Sequence, residues 1–186
     1  VTGSLDVADL DGLLSEKTKL VVMPHCSNIV GEINPLREVA DKVHAAGALL
    51  LVDGVAGAPH SFPDMIAEDV DLYLLSLYKT YGPHQGVMVV RERVMPHLAN
   101  QSHYFNSGYT NKRLIPAGPD HGQVAASAGI VHYFDAVYDH HFSEKVDAPE
   151  RSRRVHKLFR SAEQARMTTL LDYLTSRDDI QIIGST

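Results

Sequence analysis

Four short runs of apolar residues divide the first half of the chain and predict buried β-strands. Polar, glycine or proline residues bound each run, and each run is shorter than an ordinary helix. Apolar positions within the runs are nearly continuous, which is typical of strands with helices on both faces of the sheet. The runs are KLVVMPH at 19–25, ALLLVD at 48–53, VDLYLLS at 70–76 and GVMVV at 86–90.

Apolar residues at helical spacing predict helices between these strands. Residues 34–47 are the clearest case, because Pro35 suits a first turn and Gly47 suits a C-terminal cap. Residues 4–18 carry leucines at the same spacing, with Ser4 as the expected N-cap. Alternation of strands and helices over the first ~100 residues predicts an α/β fold with a mostly parallel sheet.

The second half of the chain has a different pattern. Residues 100–122 are polar and irregular, and so long a loop within a compact domain is often functional. We expect helices over 123–142 and 151–177, with a charged connector at 143–150 between them. An apolar run at 180–184 predicts the start of another strand.

Composition indicates a soluble globular protein. The chain has 186 residues, of which 44% are apolar and 22% charged, so a core of normal size is expected. The net charge of −6 argues against nucleic acid or a membrane surface as a partner, since both select for a basic face. The single cysteine, Cys26, forms no intrachain disulfide, which favours a reducing, cytoplasmic compartment.

The two ends of the sequence predict a partial chain. No apolar run reaches the roughly 18 residues that span a bilayer, and the first residues lack the pattern of a signal peptide. The chain starts without Met, and the apolar run at 180–184 has only begun when the sequence stops. We therefore expect a soluble piece of a longer protein.

Polar residues that are able to bind a ligand or take part in catalysis follow three of the predicted strands. Asn28 comes after the first, Asp53 closes the second, and Lys79 follows the third. Each alone is more simply a turn residue or a solvated charge. Together they suggest an aldehyde cofactor, because a lysine amine forms a Schiff base with it and a carboxylate pairs with its pyridinium nitrogen. In an open α/β sheet these strand ends share one edge.

Metal binding and thiol chemistry are not favoured by the pattern. Histidines occur at His121, His132, His140 and His141, but the last two are adjacent and no H-x-x-x-H pair is present. Cys26 is most simply a small residue that closes a buried strand. We expect no metal site.

Three motifs in fixed order resemble the class V aminotransferase family of pyridoxal-phosphate enzymes, which includes cysteine desulfurases, selenocysteine lyases and kynureninases. They are S-N-x-x-G-x-I-x-P at 27–35, V-D-G at 52–54 and S-x-x-K-x-x-G-P at 76–83. The resemblance runs from about residue 5 to the end and is strongest between residues 21 and 90.

The resemblance implies a role for five residues. Lys79 would be the Schiff-base lysine and also move the Cα proton of an amino-acid substrate. Asp53 would pair with the pyridine nitrogen, and Asn28 would lie near the cofactor ring or its phenolic oxygen. Ser76 would help hold the phosphate. Tyr78 would contact the cofactor through one hydrogen bond of its hydroxyl group.

The sequence departs from the common desulfurase pattern at three places. Ala56 stands where desulfurases commonly have a glutamine that binds the phenolic oxygen. Tyr78 stands where they have a histidine before the lysine, and Gly118-Pro119 stands where they have glycine-threonine. These changes indicate a divergent branch of the family, or one with altered activity.

The resemblance also implies how the chain is organised. Residues 1–142 would be the C-terminal half of the cofactor-binding large domain of a fold-type I transferase. Residues 143–186 would begin the small C-terminal domain, with a long helix and its first strand. The family's glycine-rich phosphate turn, stacking aromatic residue and substrate arginine lie outside the sequence. Family members work as homodimers, so a homodimer is expected.

Two interpretations stay open at this point. In the first, the chain belongs to a pyridoxal-phosphate enzyme that carries out transamination, desulfuration or elimination on an amino acid. In the second, the 186 residues are a truncated, non-catalytic α/β module that self-associates and binds the cofactor weakly or not at all.

Overall fold

Residues 3–184 of the chain are described by a computed structural model, which contains four strands and four α-helices. The strands are β1 Leu20–Pro24, β2 Leu49–Asp53, β3 Leu72–Ser76 and β4 Gly86–Val90. The α-helices are α1 Leu36–Ala45, α2 His121–Ala126, α3 Ala128–His141 and α4 Ala148–Thr175. Short 3-10 helices lie at Val7–Gly12, Leu77–Lys79, Glu92–His97, Tyr104–Asn106 and Thr110–Lys112.

The four strands form one sheet in the order β1-β2-β3-β4. β1 pairs with β2 in parallel, β2 pairs with β3 in parallel, and β4 runs antiparallel to β3. The α/β fold with a mostly parallel sheet is therefore confirmed. The carboxyl ends of β1, β2 and β3 lie at one edge, where ligands of such sheets bind.

One face of the sheet is packed against α1. The helix buries four residues at helical spacing, and these contact the inward side chains of the strands. Gly47 lies just beyond the helix with φ +73°, so it ends the helix as the sequence predicts. The buried helix residues are Leu36, Val39, Ala40 and Val43, and their main strand partners are Met23, Leu50, Val52 and Tyr73.

A second apolar cluster joins α3 and α4 to the turn after β3. Ile130, Phe134 and Tyr138 of α3 pack with Val155 of α4 and with Leu77. The phenol of Tyr138 donates a hydrogen bond of 3.0 Å to the carbonyl of Glu144 in the segment between the two helices. These contacts hold the long helix beside the carboxyl edge of the sheet.

The opposite face of the sheet keeps apolar side chains in solvent. Side chains alternate between faces along a strand, so Val22 points away from its buried neighbour Met23. Val22 is 61% exposed, Leu20 is 47% exposed, and Met88 of β4 is 39% exposed. Within the described part of the chain, this face is therefore only partly covered.

Some predicted boundaries were wrong. The helix expected at 4–18 is only the 3-10 helix Val7–Gly12, and its N-cap is Asp6 rather than Ser4, because the Asp6 carboxylate accepts the N–H of Ala8. Residues 180–184 form no strand, since no neighbouring strand pairs with them among the described residues.

The C-terminal boundary of the connector predicted at 143–150 was also wrong, because the connector is shorter than expected. α4 already starts at Ala148, because Asp147 caps it by accepting the N–H of Glu150 and a proline suits its first turn. The helical segment predicted at 123–142 is divided at Ser127 into α2 and α3. No helix between residues 3 and 184 is long and apolar enough to span a membrane.

Candidate active site

The side chains that follow β1, β2 and β3 meet at the carboxyl edge of the sheet. Asn28, Asp53 and Lys79 line one cavity of about 160 Å³, together with Ala56 and Cys26. An adjoining open groove of about 560 Å³ is again lined by Asn28 and Lys79. The three residues that sequence reasoning placed at one edge therefore share a single cavity.

A tight turn between β3 and β4 holds Lys79. The lysine is the last residue of the 3-10 helix, and buried Thr80 follows it, donating a hydrogen bond of 3.1 Å to the carbonyl of Leu77. Gly82 closes the turn against Ile130, and a Cβ there would lie 2.5 Å from the isoleucine Cδ1. The turn is thus fixed by α3, while the lysine side chain extends into the cavity.

Lys79 has a free amine within the described chain. No hydrogen bond or ion pair between residues 3 and 184 engages its Nζ, although the residue lines both cavities. Lys79 is an exposed residue at the wall of both cavities, so its unpaired amine is accessible to a ligand there.

Asp53 ends β2 with its carboxylate at the cavity wall. Its Oδ1 accepts the N–H of Val55 at 3.0 Å, which orients the carboxylate across the turn. Its Oδ2 accepts no hydrogen bond from the described residues. The next residue must be glycine, because a Cβ on Gly54 would lie 2.0 Å from the Tyr73 ring.

Asn28 lies on a compact loop after β1. The loop is closed by a bridge between Cys26 and Ile33, and Ser27 Oγ accepts the N–H groups of Ile29 and Val30 at 3.3 Å each. At its base, the buried amide of Asn34 donates a hydrogen bond of 2.8 Å to the carbonyl of Pro24. These bonds fix the loop that carries Asn28 to the end of β1.

A hydrogen-bonded pair near the strand ends, buried Tyr73 and half-buried His25, was missed by sequence reasoning. The Tyr73 hydroxyl lies 2.9 Å from Nδ1 of His25. Burial raises the pKa of Tyr73, and burial lowers the pKa of His25 against a smaller opposite effect of Glu68. Both groups are therefore neutral near pH 7, and one hydrogen bond joins the phenol to the imidazole. The signal available in sequence was a histidine directly after β1, at the same edge as Asp53.

Cys26 lies in the cavity wall but is not an activated nucleophile. Burial, aided by the Glu32 carboxylate, raises the pKa of its thiol, and the thiolate is the reactive form. Among the described residues, no cluster of three or more His, Cys, Asp or Glu side chains has the arrangement of a metal site.

Comparison with known proteins decides the family. A sequence profile described as "Aminotransferase class-V" matches residues 1–113. The chain belongs to this family. It is 35% identical over 184 residues to the aminotransferase-like protein FGM3 of Gibberella zeae, covering 98% of the chain and 42% of that protein. It is 45% identical over 179 residues to the cysteine desulfurase-like protein ustD of Aspergillus flavus, covering 95% of the chain and 37% of that protein.

A solved structure of a cysteine desulfurase shares the fold. The cysteine desulfurase CsdA of Escherichia coli superposes with a TM-score of 0.60 at 22% identity, over 77% of this chain and 37% of that one. The predicted fold class, part of a fold-type I large domain, is thereby confirmed. The chain spans about two fifths of the length of FGM3 and ustD, so these matches do not assign the activity of the whole protein.

The class V site residues predicted from sequence divide into two groups. Asn28, Asp53 and Lys79 are brought together at the cavity. Ser76 lies in the β3–β4 ladder opposite Gly86, and Tyr78 stacks on His84 with ring centroids 4.5 Å apart. Neither Ser76 nor Tyr78 lines the two cavities that contain Lys79. Their roles toward a cofactor stay predictions.

The residues present fit the cofactor of class V enzymes, pyridoxal 5′-phosphate. A free amine, a carboxylate with one unengaged oxygen and a side-chain amide face one cavity, and these are the groups that hold a pyridine aldehyde. Ala56 also faces this cavity, where its methyl group offers no hydrogen bond to a ligand oxygen.

Proposed function

We propose that this chain is the cofactor-bearing part of a pyridoxal-phosphate enzyme that acts on an amino acid by transamination, desulfuration or elimination. One observation carries the proposal: Lys79, Asp53 and Asn28 line the same cavity, and the amine of Lys79 has no partner in the described chain. In this proposal, residues 1–142 belong to the large domain and 143–186 begin the small domain.

Each residue has a distinct task. Pyridoxal phosphate supplies an aldehyde that binds amines and a protonated ring that takes up electrons from the substrate Cα. Lys79 would hold the cofactor through its Nζ and, once the substrate amine has taken its place on the aldehyde, would be the group that moves the Cα proton. Asp53 would hold a proton on the ring nitrogen through its free oxygen, and Asn28 would donate a hydrogen bond near the ring. Ser76 and Tyr78 would add contacts to the phosphate and the cofactor.

Covalent trapping tests the proposal. The protein is mixed with pyridoxal phosphate, reduced with borohydride and digested, and the modified peptide is identified by mass spectrometry. We expect the cofactor mass on Lys79 and its loss in Lys79→Ala. Lys17→Ala, at an exposed lysine outside the cavity, should behave as the unaltered protein. Modification spread equally over several lysines would contradict the assignment.

A second candidate function is favoured by the exposed sheet face. Leu20, Val22 and Met88 present apolar side chains to solvent, and such surfaces mark association sites. The chain would then be a non-catalytic module that forms a homodimer through this face. Sedimentation of Val22→Ser tests it, with Leu13→Ser as a control at another exposed leucine. A monomer in both the unaltered chain and the variants would exclude self-association.

A further inference from the structure

We propose that the groove between α4 and residues 61–66 binds an acidic peptide segment of a partner protein that also carries apolar side chains. The groove has a volume of about 890 Å³. None of Asn28, Asp53 and Lys79 lines it, so it is distinct from the candidate active site.

Positive charge is concentrated along the α4 side of this groove. The segment 151–160 contains five Lys and Arg residues and no Asp or Glu, in a chain whose net charge is −6. Four of these residues line the groove: Arg153, Arg154, Lys157 and Arg160. A local excess of positive charge on an acidic protein attracts an anionic ligand to this place.

Only part of this charge is neutralised within the protein. Glu150 accepts hydrogen bonds of 2.9 Å from Arg153 and Arg154. Lys157 and Arg160 form no ion pair with a carboxylate of residues 3–184, and Arg160 donates only to the carbonyl of His60 at 3.2 Å. These two exposed cations lie one helical turn apart, at a spacing that suits two carboxylates of one peptide.

The other wall of the groove is apolar. Ile66 is 74% exposed and Phe62 is 38% exposed, and both line the groove beside Met65. The groove thus combines exposed apolar side chains with two cations that have no carboxylate partner within residues 3–184. A peptide with leucine side chains between its carboxylates would cover this wall while it pairs with Lys157 and Arg160.

Carboxylates inside the groove favour a peptide over a nucleic acid. Asp64 and Glu150 both line the groove and would repel a continuous row of phosphates. A peptide presents separate carboxylates with apolar residues between them, so it can pair with the cations and avoid the two acidic side chains. The partner chemistry is therefore acidic and amphipathic.

Fluorescence anisotropy tests the proposal with a labelled peptide of alternating Glu and Leu and with its Gln-for-Glu counterpart. We expect the Glu peptide to bind, with an affinity that falls as salt rises. Lys157→Glu combined with Arg160→Glu should raise the Kd roughly tenfold or more, and Ile66→Ser should raise it as well. Arg166→Glu, an exposed arginine further along the same helix, serves as the matched control.

Three outcomes would overturn the proposal. The first is that the Gln peptide binds with the same affinity as the Glu peptide. The second is that the double variant binds the Glu peptide as tightly as the Arg166→Glu control does. The third is that a single-stranded oligonucleotide binds more tightly and displaces the peptide. Circular dichroism verifies that each variant is folded. Binding should persist in Lys79→Ala, so the result is independent of the proposed cofactor chemistry.

Discussion

The phenolic oxygen of Tyr73 lies 2.9 Å from Nδ1 of His25, and this hydrogen bond ties the middle of β3 to the residue that follows β1. The Tyr73 ring also lies directly beneath Gly54, the residue after Asp53. The buried side chain of Tyr73 thus contacts the end of β1, which leads to Asn28, and the end of β2, which carries Asp53.

Removal of this hydroxyl should weaken the fold while keeping the core volume. Tyr73→Phe leaves the half-buried Nδ1 of His25 without its hydrogen-bond partner, which should lower the free energy of unfolding by about 1–2 kcal/mol. Urea denaturation measures the change. Tyr81→Phe is the control, because that hydroxyl has no hydrogen bond within residues 3–184. Equal losses in the two variants would show that the Tyr73–His25 bond adds no stability.

A methyl group at Gly54 should be poorly tolerated. Its Cβ would lie 2.0 Å from the Tyr73 ring, so Gly54→Ala forces a backbone shift that should lower the free energy of unfolding by about 2–3 kcal/mol. Gly129→Ala is the control, because a Cβ built at Gly129 has no neighbouring atom within 4 Å. Alanine is a better helix former than glycine, so this variant should raise the free energy of unfolding by about 0.5–1 kcal/mol.

A double variant identifies the cause of this loss. If the clash with the ring is responsible, Gly54→Ala should cost much less in a Tyr73→Leu background than alone, since the two residues are in contact. Additive losses in the double variant would place the strain elsewhere in the turn after β2.

The convergence of Asn28, Asp53 and Lys79 could be predicted from sequence because it follows from topology. Residues after consecutive parallel strands share one edge whatever the side-chain packing. The Tyr73–His25 pair could not be predicted in this way. Tyr73 lies within an apolar run, and only the three-dimensional packing shows that its ring extends under Gly54 to the imidazole.

Features that depend on side-chain direction or on a distant partner were the hardest to predict. Ser76 and Tyr78 are within three residues of Lys79, but the strand pairing directs one to the sheet and stacking holds the other on His84. Residues 180–184 are apolar enough for a strand, and a strand requires a neighbouring strand for its hydrogen bonds. Local sequence does not contain that information.

A buried ion-pair network at the start of β3 should contribute strongly to stability. Asp71 is 1% exposed and accepts hydrogen bonds from Leu50 N–H at 2.9 Å and from Arg93 at 2.8 Å. His44 Nε2 lies 2.8 Å from the same carboxylate. Asp71→Asn should lower the free energy of unfolding by about 3 kcal/mol, because it leaves buried partners of a charged group unsatisfied.

An exposed ion pair provides the comparison for Asp71. Asp41 pairs with Arg37 across one turn of α1, and both side chains are more than half exposed. Asp41→Asn should change the free energy of unfolding by about 0.5 kcal/mol or less. Chemical denaturation of both variants measures the difference. Similar losses at Asp41 and Asp71 would mean that burial does not strengthen the Asp71 network.

The stability of the protein should fall as the pH drops below neutrality, and His156 should be one cause. This imidazole is 2% exposed between Phe62 and Phe134, and its Nδ1 donates to the Ser152 carbonyl at 2.8 Å. Burial is the main cause that lowers its pKa, nearby Arg160 and His60 lower it further, and the hydrogen bond to the Ser152 carbonyl opposes this in part.

The direction of the pH effect follows from proton uptake. In the unfolded chain, histidine takes up a proton near pH 6.5, whereas the folded protein keeps His156 neutral to lower pH. The unfolded state therefore gains protons first, and stability decreases as the pH falls through about 6.5. Burial also lowers the pKa of His25, which adds to the effect with the same sign.

Urea denaturation at several pH values between about 7.5 and 5 measures this dependence. His156→Leu should flatten the curve, because it removes one of the two histidines whose pKa is lowered by burial. His132→Gln, at an exposed histidine of α3, should leave the slope unchanged. The plot of the free energy of unfolding against pH could be as steep for His156→Leu as for the His132→Gln control. Another group would then bind the proton, and the buried imidazole of His156 would have no part in the acid sensitivity.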